Sequence, residues 1–299
     1  MNSTLFIGVT SWNSELFLPI CLQALQQTAA HLEAEIVVLD NCSEDQSQAI
    51  TRAAGVELIV KKCNQGDALN HLFAKSKADY TLLIHADVVM LADDWFECCL
   101  KQMNSQTALV SPEDIGCGPM TRPFGKNMPE SSFLLFNTQL ANRIRQTFMV
   151  KHRFLPWRKQ TESKLDFYAP HVTHHLHEQI QSENLHWQMM RVLHSNQMPE
   201  VRYTPEIVTN VWHEKLADLQ YGLGNFYAIG DTITHYHNWY DRLDFSALAM
   251  NPTATTAADN NGFPVDYIKT YSERFLADYH KGVVNLPSLD QTRLEPKAL

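Results

Sequence analysis

From Leu5 to Ser111, short runs of apolar, β-forming residues alternate with segments whose apolar positions recur at helical spacing. The pattern predicts strands at Leu5–Thr10, Glu35–Asp40, Val56–Val60, Tyr80–Ile84 and Ala108–Ser111. Between them it predicts helices over Leu16–Leu25, from a Ser43 cap to Ala54, over Asp67–Ser76 and over Asp93–Met103. The strands show no polar–apolar alternation, so both of their faces are buried. Strands of that kind separated by helices predict an α/β fold, a mostly parallel sheet covered by helices on both sides.

After Ser111 the pattern loosens. Pro112–Pro129 is rich in Gly and Pro and reads as a long loop, of a length that tends to carry function. A strand is expected at Ser132–Phe136, a helix at Thr138–Phe148, and a His-rich helical stretch over residues 171–196. Phe226–His237 is expected to return to the sheet, Asn251–Gly262 to form a polar linker, and Pro264–His280 an amphipathic helix. The expected organisation is one domain over residues 1–243, with halves at 1–115 and 116–243, and a linker plus helical tail at 244–299.

Composition narrows the function classes. The chain has 299 residues and is 44% hydrophobic, enough for a substantial core, and its net charge of −9 argues against a nucleic-acid partner. A phosphate-bearing substrate remains compatible with that charge if a divalent cation supplies positive charge locally. The six cysteines are scattered without a CxxC pair, which suits a reducing cytoplasm. The N-terminal stretch lacks a basic n-region, and no run approaches the ~20 apolar residues that span a bilayer. A cytoplasmic chain is expected, at most peripheral to the inner face of a membrane.

In an open parallel sheet, ligands bind beyond the C-terminal strand ends. Here those ends read Thr10-Ser11-Trp12-Asn13, Asp40-Asn41-Cys42-Ser43, Asn64-Gln65-Gly66-Asp67 and His85-Ala86-Asp87. Polar, turn-forming residues with two aspartates therefore collect along one edge. No GxGxxG, GxxxxGK[ST] or GxSxG occurs, so a glycine phosphate cradle and a nucleophile elbow are both disfavoured.

The succession FIGVTSWNSELFLPICLQAL, EIVVLDNCSEDQS, NQGDALN and YTLLIHADVVMLADDWFE resembles the family 2 glycosyltransferases of the GT-A fold, over residues 4–115. The resemblance implies a nucleotide base near Thr10 and Trp12, with Asp40 accepting a hydrogen bond from a uracil or thymine imide. Asn41, Gly66, Asn70, His85 and Ala86 would complete the nucleotide-sugar site. It further implies Mn2+ or Mg2+ held at a D-x-D-like turn, with Asp87 the foremost metal ligand. His85 stands where the family usually has the first aspartate. A late histidine often completes the metal or diphosphate site, which points to His235 first and His237 next.

An inverting transfer needs a general base. By the same resemblance Glu183, in Ser182-Glu183-Asn184-Leu185-His186-Trp187 with Arg191 downstream, is the expected base, and Asp166 the reserve. His171, His174, His175 and His177 could form a zinc site or line an acceptor-facing helix, the latter being favoured because no Cys or HExxH accompanies them. Tyr221–Tyr227, with Gly222 and Gly224, reads as a lid or acceptor-cleft wall. Trp187, Trp212 and Trp239 read as sugar-stacking or core residues. The expected activity is metal-dependent, inverting transfer of a sugar from a UDP, dTDP or GDP donor to a glycan, lipid-linked or protein acceptor, as in polysaccharide biosynthesis. A homodimer is compatible with the aromatic spacing of the tail. A nucleotidyltransferase or a non-catalytic binder on the same scaffold are the competing readings.

Overall fold

The computed structural model describes residues 3–113, 129–144, 148, 172–173, 176–194, 221, 224–238 and 265–289. The first half alternates strand and helix: β1 (Thr4–Ser11), α1 (Leu18–Thr28), β2 (Glu33–Asp40), α2 (Ser47–Ala53), β3 (Glu57–Val60), α3 (Gln65–Lys75), β4 (Tyr80–His85), β5 (Val88–Met90), α4 (Trp95–Lys101) and β6 (Thr107–Pro112). The second half contributes β7 (Phe133–Asn137), α5 (Thr138–Arg143), α6 (Leu176–Ser182), β8 (His186–His194), β9 (Asn225–Ile229), β10 (Thr232–His237) and α7 (Val265–Lys281).

Among the described residues the strands form one sheet in the order β3-β2-β1-β4-β7-β6-β8-β9-β10-β5. The expected parallel register holds across β3, β2, β1 and β4. Following the pairings outward, β6, β8 and β10 point the same way, while β7, β9 and β5 run against them. Side chains of successive strand residues take opposite faces. Leu5, Ile7 and Val9 therefore join a core with α1, α4 and Phe275 of α7. Phe6 joins the other core, with Leu69 and Leu72 of α3, Leu140 of α5 and Ile180 of α6.

Three local expectations are corrected. Ser43 does not cap α2. Its N–H and hydroxyl are bound to Asp40, and Asp45 instead accepts from Ser47 N–H at 2.9 Å to open the helix. Residues 171–196 are not one helical stretch, because α6 ends at Ser182 and Asn184 turns the chain at φ 54° into β8. β8 is an interior strand between β6 and β9, and its apolar residues mimic a helix face when read alone. The hairpin from β9 to β10 turns at Gly230, where φ is +55° and a side chain would be strained. The helix expected to begin at Asp67 begins two residues earlier, at Gln65, capped by Asn64, whose side chain accepts from Asp67 N–H at 2.9 Å.

Candidate functional site

The C-terminal edge of the sheet gathers four segments. β4 ends at His85, and Ala86 hydrogen-bonds the carbonyl of Thr10 at 3.0 Å, so the turn that carries Asp87 is tied to β1. β10 pairs antiparallel with β5, and that register puts His237 opposite Val88, one residue beyond Asp87. The start of β7 lies alongside, since His85 N–H donates to the carbonyl of Ser132 at 3.0 Å. The end of β6 completes the edge, its Pro112 carbonyl accepting from Glu130 N–H at 2.9 Å.

This arrangement brings His85, Asp87 and His237 together, all buried, each offering one donor atom within 4.8 Å of the others. His237 Nε2 is 3.4 Å from Asp87 Oδ1, and His85 Nδ1 is 3.9 Å from the same oxygen. The other nitrogen of His85 meets Gln65 Nε2 at 2.7 Å and Ser131 Oγ at 3.4 Å. The other nitrogen of His237 faces Glu130 Oε2 at 3.6 Å. Two imidazoles and a carboxylate, with a second carboxylate behind one imidazole, form a donor set that fits a divalent cation.

The electrostatics follow from burial among opposite charges. Burial works against a charged His237, yet the carboxylates of Asp87 and Glu130 outweigh it and push its pKa up to about 9. Glu130 is only 2% exposed. Burial alone would raise its pKa, but His237, His85 and Ser132 together hold it well below the usual carboxylate range. Behind the turn, burial and then the charge of Asp87 push the Cys21 thiol up, which makes it an inert core residue.

The remaining expected residues divide sharply. His235 is not part of the trio. Its ring is sandwiched between Phe133 at 4.4 Å and Tyr227 at 4.7 Å, and burial followed by the charge of His237 pushes its pKa down to about 3. Thr10 and Ser11 present buried hydroxyls without hydrogen-bond partners, and Trp12 is 39% exposed beside them. Asp40 has no solvent-exposed surface, and its carboxylate takes Ser43 N–H at 2.7 Å, Ser43 hydroxyl at 2.6 Å and Gln48 Nε2 at 3.2 Å. It serves the turn, leaving no open face for a base imide. Asn41 likewise spends its carbonyl on Cys63 N–H at 2.8 Å.

Gly66 and Asn70 act on one partner. Asn70 donates to the Phe148 carbonyl at 2.6 Å and accepts from its N–H at 2.8 Å. A Cβ at Gly66 would stand 2.9 Å from that same carbonyl. The pair anchors a backbone segment. Ala86 is buried in the turn.

Glu183 stands apart from the trio. It is exposed and sits just before β8, whose His186 pairs with Thr107 at the start of β6, whereas the candidate site lies past Pro112 at its end. That separation is about 16 Å of strand. Arg191 donates to the carbonyls of Gly230 and Leu289, away from the trio. Trp187 donates from Nε1 to the Ser111 carbonyl at 3.0 Å and packs at the core margin, and His177 lies edge-on to it. Asp166, His171, His174, His175, Trp212, Trp239 and Gly222 lie outside the described residues. Tyr227 does reach the site, donating to Glu130 at 3.1 Å. Sequence reasoning missed Glu130 altogether. Its place at the edge of a Gly/Pro-rich loop, just ahead of a buried strand, was the available signal.

The sequence profile of glycosyl transferase family 2 matches residues 6–165, more than half of the 299-residue chain. The chain belongs to glycosyltransferase family 2. The chain has no match among curated proteins. Among solved structures it is similar to the mannosyltransferase PcManGT from Pyrobaculum calidifontis, in complex with GDP-Man and Mn2+, at 14% identity and TM-score 0.45, covering 63% of this chain and 55% of that one. Glucosyl-3-phosphoglycerate synthase from Mycobacterium tuberculosis, in complex with Mn2+, UDP and glucosyl-3-phosphoglycerate, aligns at 14% identity and TM-score 0.37, covering 46% and 58%. S. aureus TarS 1-349 aligns at 18% identity and TM-score 0.37, covering 50% of each chain. The match thus spans between 50% and 58% of the length of each of these three. Among the described residues, no helix is long and apolar enough to cross a membrane.

Proposed function

We propose that this glycosyltransferase moves a sugar from a nucleoside-diphosphate donor to an acceptor hydroxyl with inversion, using Mn2+ or Mg2+ held by Asp87, His85 and His237. The observation that carries this reading is the buried trio at the C-terminal edge of the sheet, where its three donor atoms converge. Nothing else among the described residues at that edge concentrates cation-binding groups so closely.

In the transfer, the acceptor oxygen bonds to the anomeric carbon as the bond from that carbon to the diphosphate oxygen breaks. The electron pair leaves with the nucleoside diphosphate, and the acceptor proton passes to a base. A cation in the site would supply positive charge to the departing diphosphate. Asp87 contributes the anionic ligand, and both imidazoles must be neutral at the nitrogen they present. Gln65 and Ser131 orient His85 from behind, and an amide rotation of Gln65 would let His85 Nε2 donate while Nδ1 faces Asp87. The unpartnered hydroxyls of Thr10 and Ser11 and the exposed ring of Trp12 offer a donor nucleotide hydrogen bonds and a stacking surface.

The test is a thermal-shift comparison of UDP, dTDP and GDP, each with and without Mn2+, on the full chain and on Asp87→Ala. Binding to the folded state raises the melting temperature. A Mn2+-dependent rise with one of the three that Asp87→Ala removes is expected. No response to any of them, with or without the cation, would overturn the reading. Metal-dependent turnover of the matching nucleotide sugar then separates an enzyme from a binder.

A further inference from the structure

Glu130 is a buried carboxylate held from three sides. It accepts from Ser132 N–H at 3.0 Å, from the Ser132 hydroxyl at very short range, and from Tyr227 hydroxyl at 3.1 Å. Burying an anion costs several kcal/mol unless a positive partner offsets it. A neutral glutamine could satisfy much of the same bonding without that cost, so the charge itself needs an explanation. The explanation in view is His237, whose Nδ1 lies 3.6 Å from Glu130 Oε2 while its Nε2 lies 3.4 Å from Asp87 Oδ1. The imidazole stands between two carboxylates, one at each nitrogen.

We infer that Glu130 is a positioning residue for the cation site, acting through His237. An imidazole that gives one nitrogen to a cation keeps its proton on the other, and that N–H needs an acceptor which fixes the ring's tautomer and orientation. Glu130 is that acceptor. The 3.6 Å separation is a few tenths of an ångström beyond hydrogen-bond range and sets the carboxylate directly against that nitrogen. Ser132, in the turn ahead of β7, and Tyr227, on β9, keep the carboxylate aimed. The inference rests on the cation site proposed above.

The test measures Mn2+ affinity directly, from the free-ion signal in electron paramagnetic resonance, on the full chain at one fixed pH. The variants are Glu130→Gln, Glu130→Asp, His237→Ala and the Glu130→Gln/His237→Ala pair. Glu130→Gln should weaken Mn2+ binding about 10–100-fold, the usual loss for a residue behind a metal ligand. In the His237→Ala background the same change should add nothing, because its route to the cation is gone. Wild-type affinity in Glu130→Gln, or an equal loss with and without His237, would overturn the inference while leaving the cation site standing. A wild-type chain that binds no Mn2+ would instead remove the cation site, and the inference with it. Should Glu130→Gln fail to unfold cooperatively, Glu130→Asp decides. It keeps the charge but withdraws it by one methylene, and a loss of about threefold or more supports the inference, whereas unchanged affinity overturns it.

Discussion

The ring of Tyr236 stacks on Phe275 of the C-terminal helix with centroids 4.0 Å apart and planes 18° apart. Tyr236 lies between the two histidines of β10, so the helix braces the strand that delivers His237. Next to it, Asn238 donates its N–H to the Asp87 carbonyl at 3.0 Å and its side-chain amide to Ser272 of α7 at 2.9 Å. Phe275→Ala should therefore cost about 3–5 kcal/mol of stability, the range for emptying a buried aromatic site. Urea denaturation would show this as a lower midpoint at an unchanged slope.

Metal preference follows from the donors. Two imidazoles and one carboxylate suit Mn2+ better than Mg2+, which favours an all-oxygen shell. With the matching nucleoside diphosphate present, Mn2+ should give the larger rise in melting temperature. His85→Asp should shift the Mn2+/Mg2+ affinity ratio toward Mg2+ by about tenfold. Calorimetric titration of each ion into both proteins checks the pair of outcomes.

The pH dependence has a definite sign. His237 binds its proton more tightly in the folded chain, with a pKa near 9. Its contribution to stability is complete below the ordinary value of about 6.5 and fades as pH climbs through about 9. A wild-type advantage in urea midpoint over His237→Gln should be present at pH 6 and gone by pH 9.5. Because a cation must displace that proton, Mn2+ affinity should rise as pH climbs toward 9, approaching about tenfold per unit in the lower part of that range.

Asn70 separates an anchoring role from a nucleotide contact. Asn70→Ala strips both backbone groups of Phe148 of their partner and should cost about 1–3 kcal/mol. Gly66→Ala should lose stability too, since its Cβ meets the Phe148 carbonyl at 2.9 Å. Lowered nucleotide affinity at full thermal stability in Asn70→Ala would argue for direct contact instead.

Glu183→Ala should leave kcat within about twofold of wild type, because an exposed residue at the far end of β8 cannot reach an acceptor at the opposite sheet edge. Steady-state turnover with the donor identified by thermal shift checks this. A loss of 100-fold or more would restore Glu183 as the base.

Much of the fold was legible because its signals are local. The apolar runs at Leu5–Thr10 and Glu35–Asp40 needed no partner to be read as buried strands. The reading failed at β8, where Met190 and Leu193 are buried at a spacing that suits a helix as well as a strand. Only pairing with β6 and β9 decides between them. Asp87 could be singled out as a candidate because a polar pair closing an apolar strand is visible in one dimension. Choosing His237 over His235 was not possible that way, since both sit on the same strand two residues apart.

The sequence by itself determined the family and the alternation of strands and helices that builds a parallel half-sheet, because hydrophobic periodicity and strand-end residues act over a few positions. Tertiary structure alone decided the composition of the site. The pairing of β10 with β5 brings His237 to Asp87, the start of β7 brings Glu130 to His237, and Glu183 is carried to the opposite end of the strands. Those are contacts between residues far apart in the chain, set by strand order and register, which no local pattern encodes.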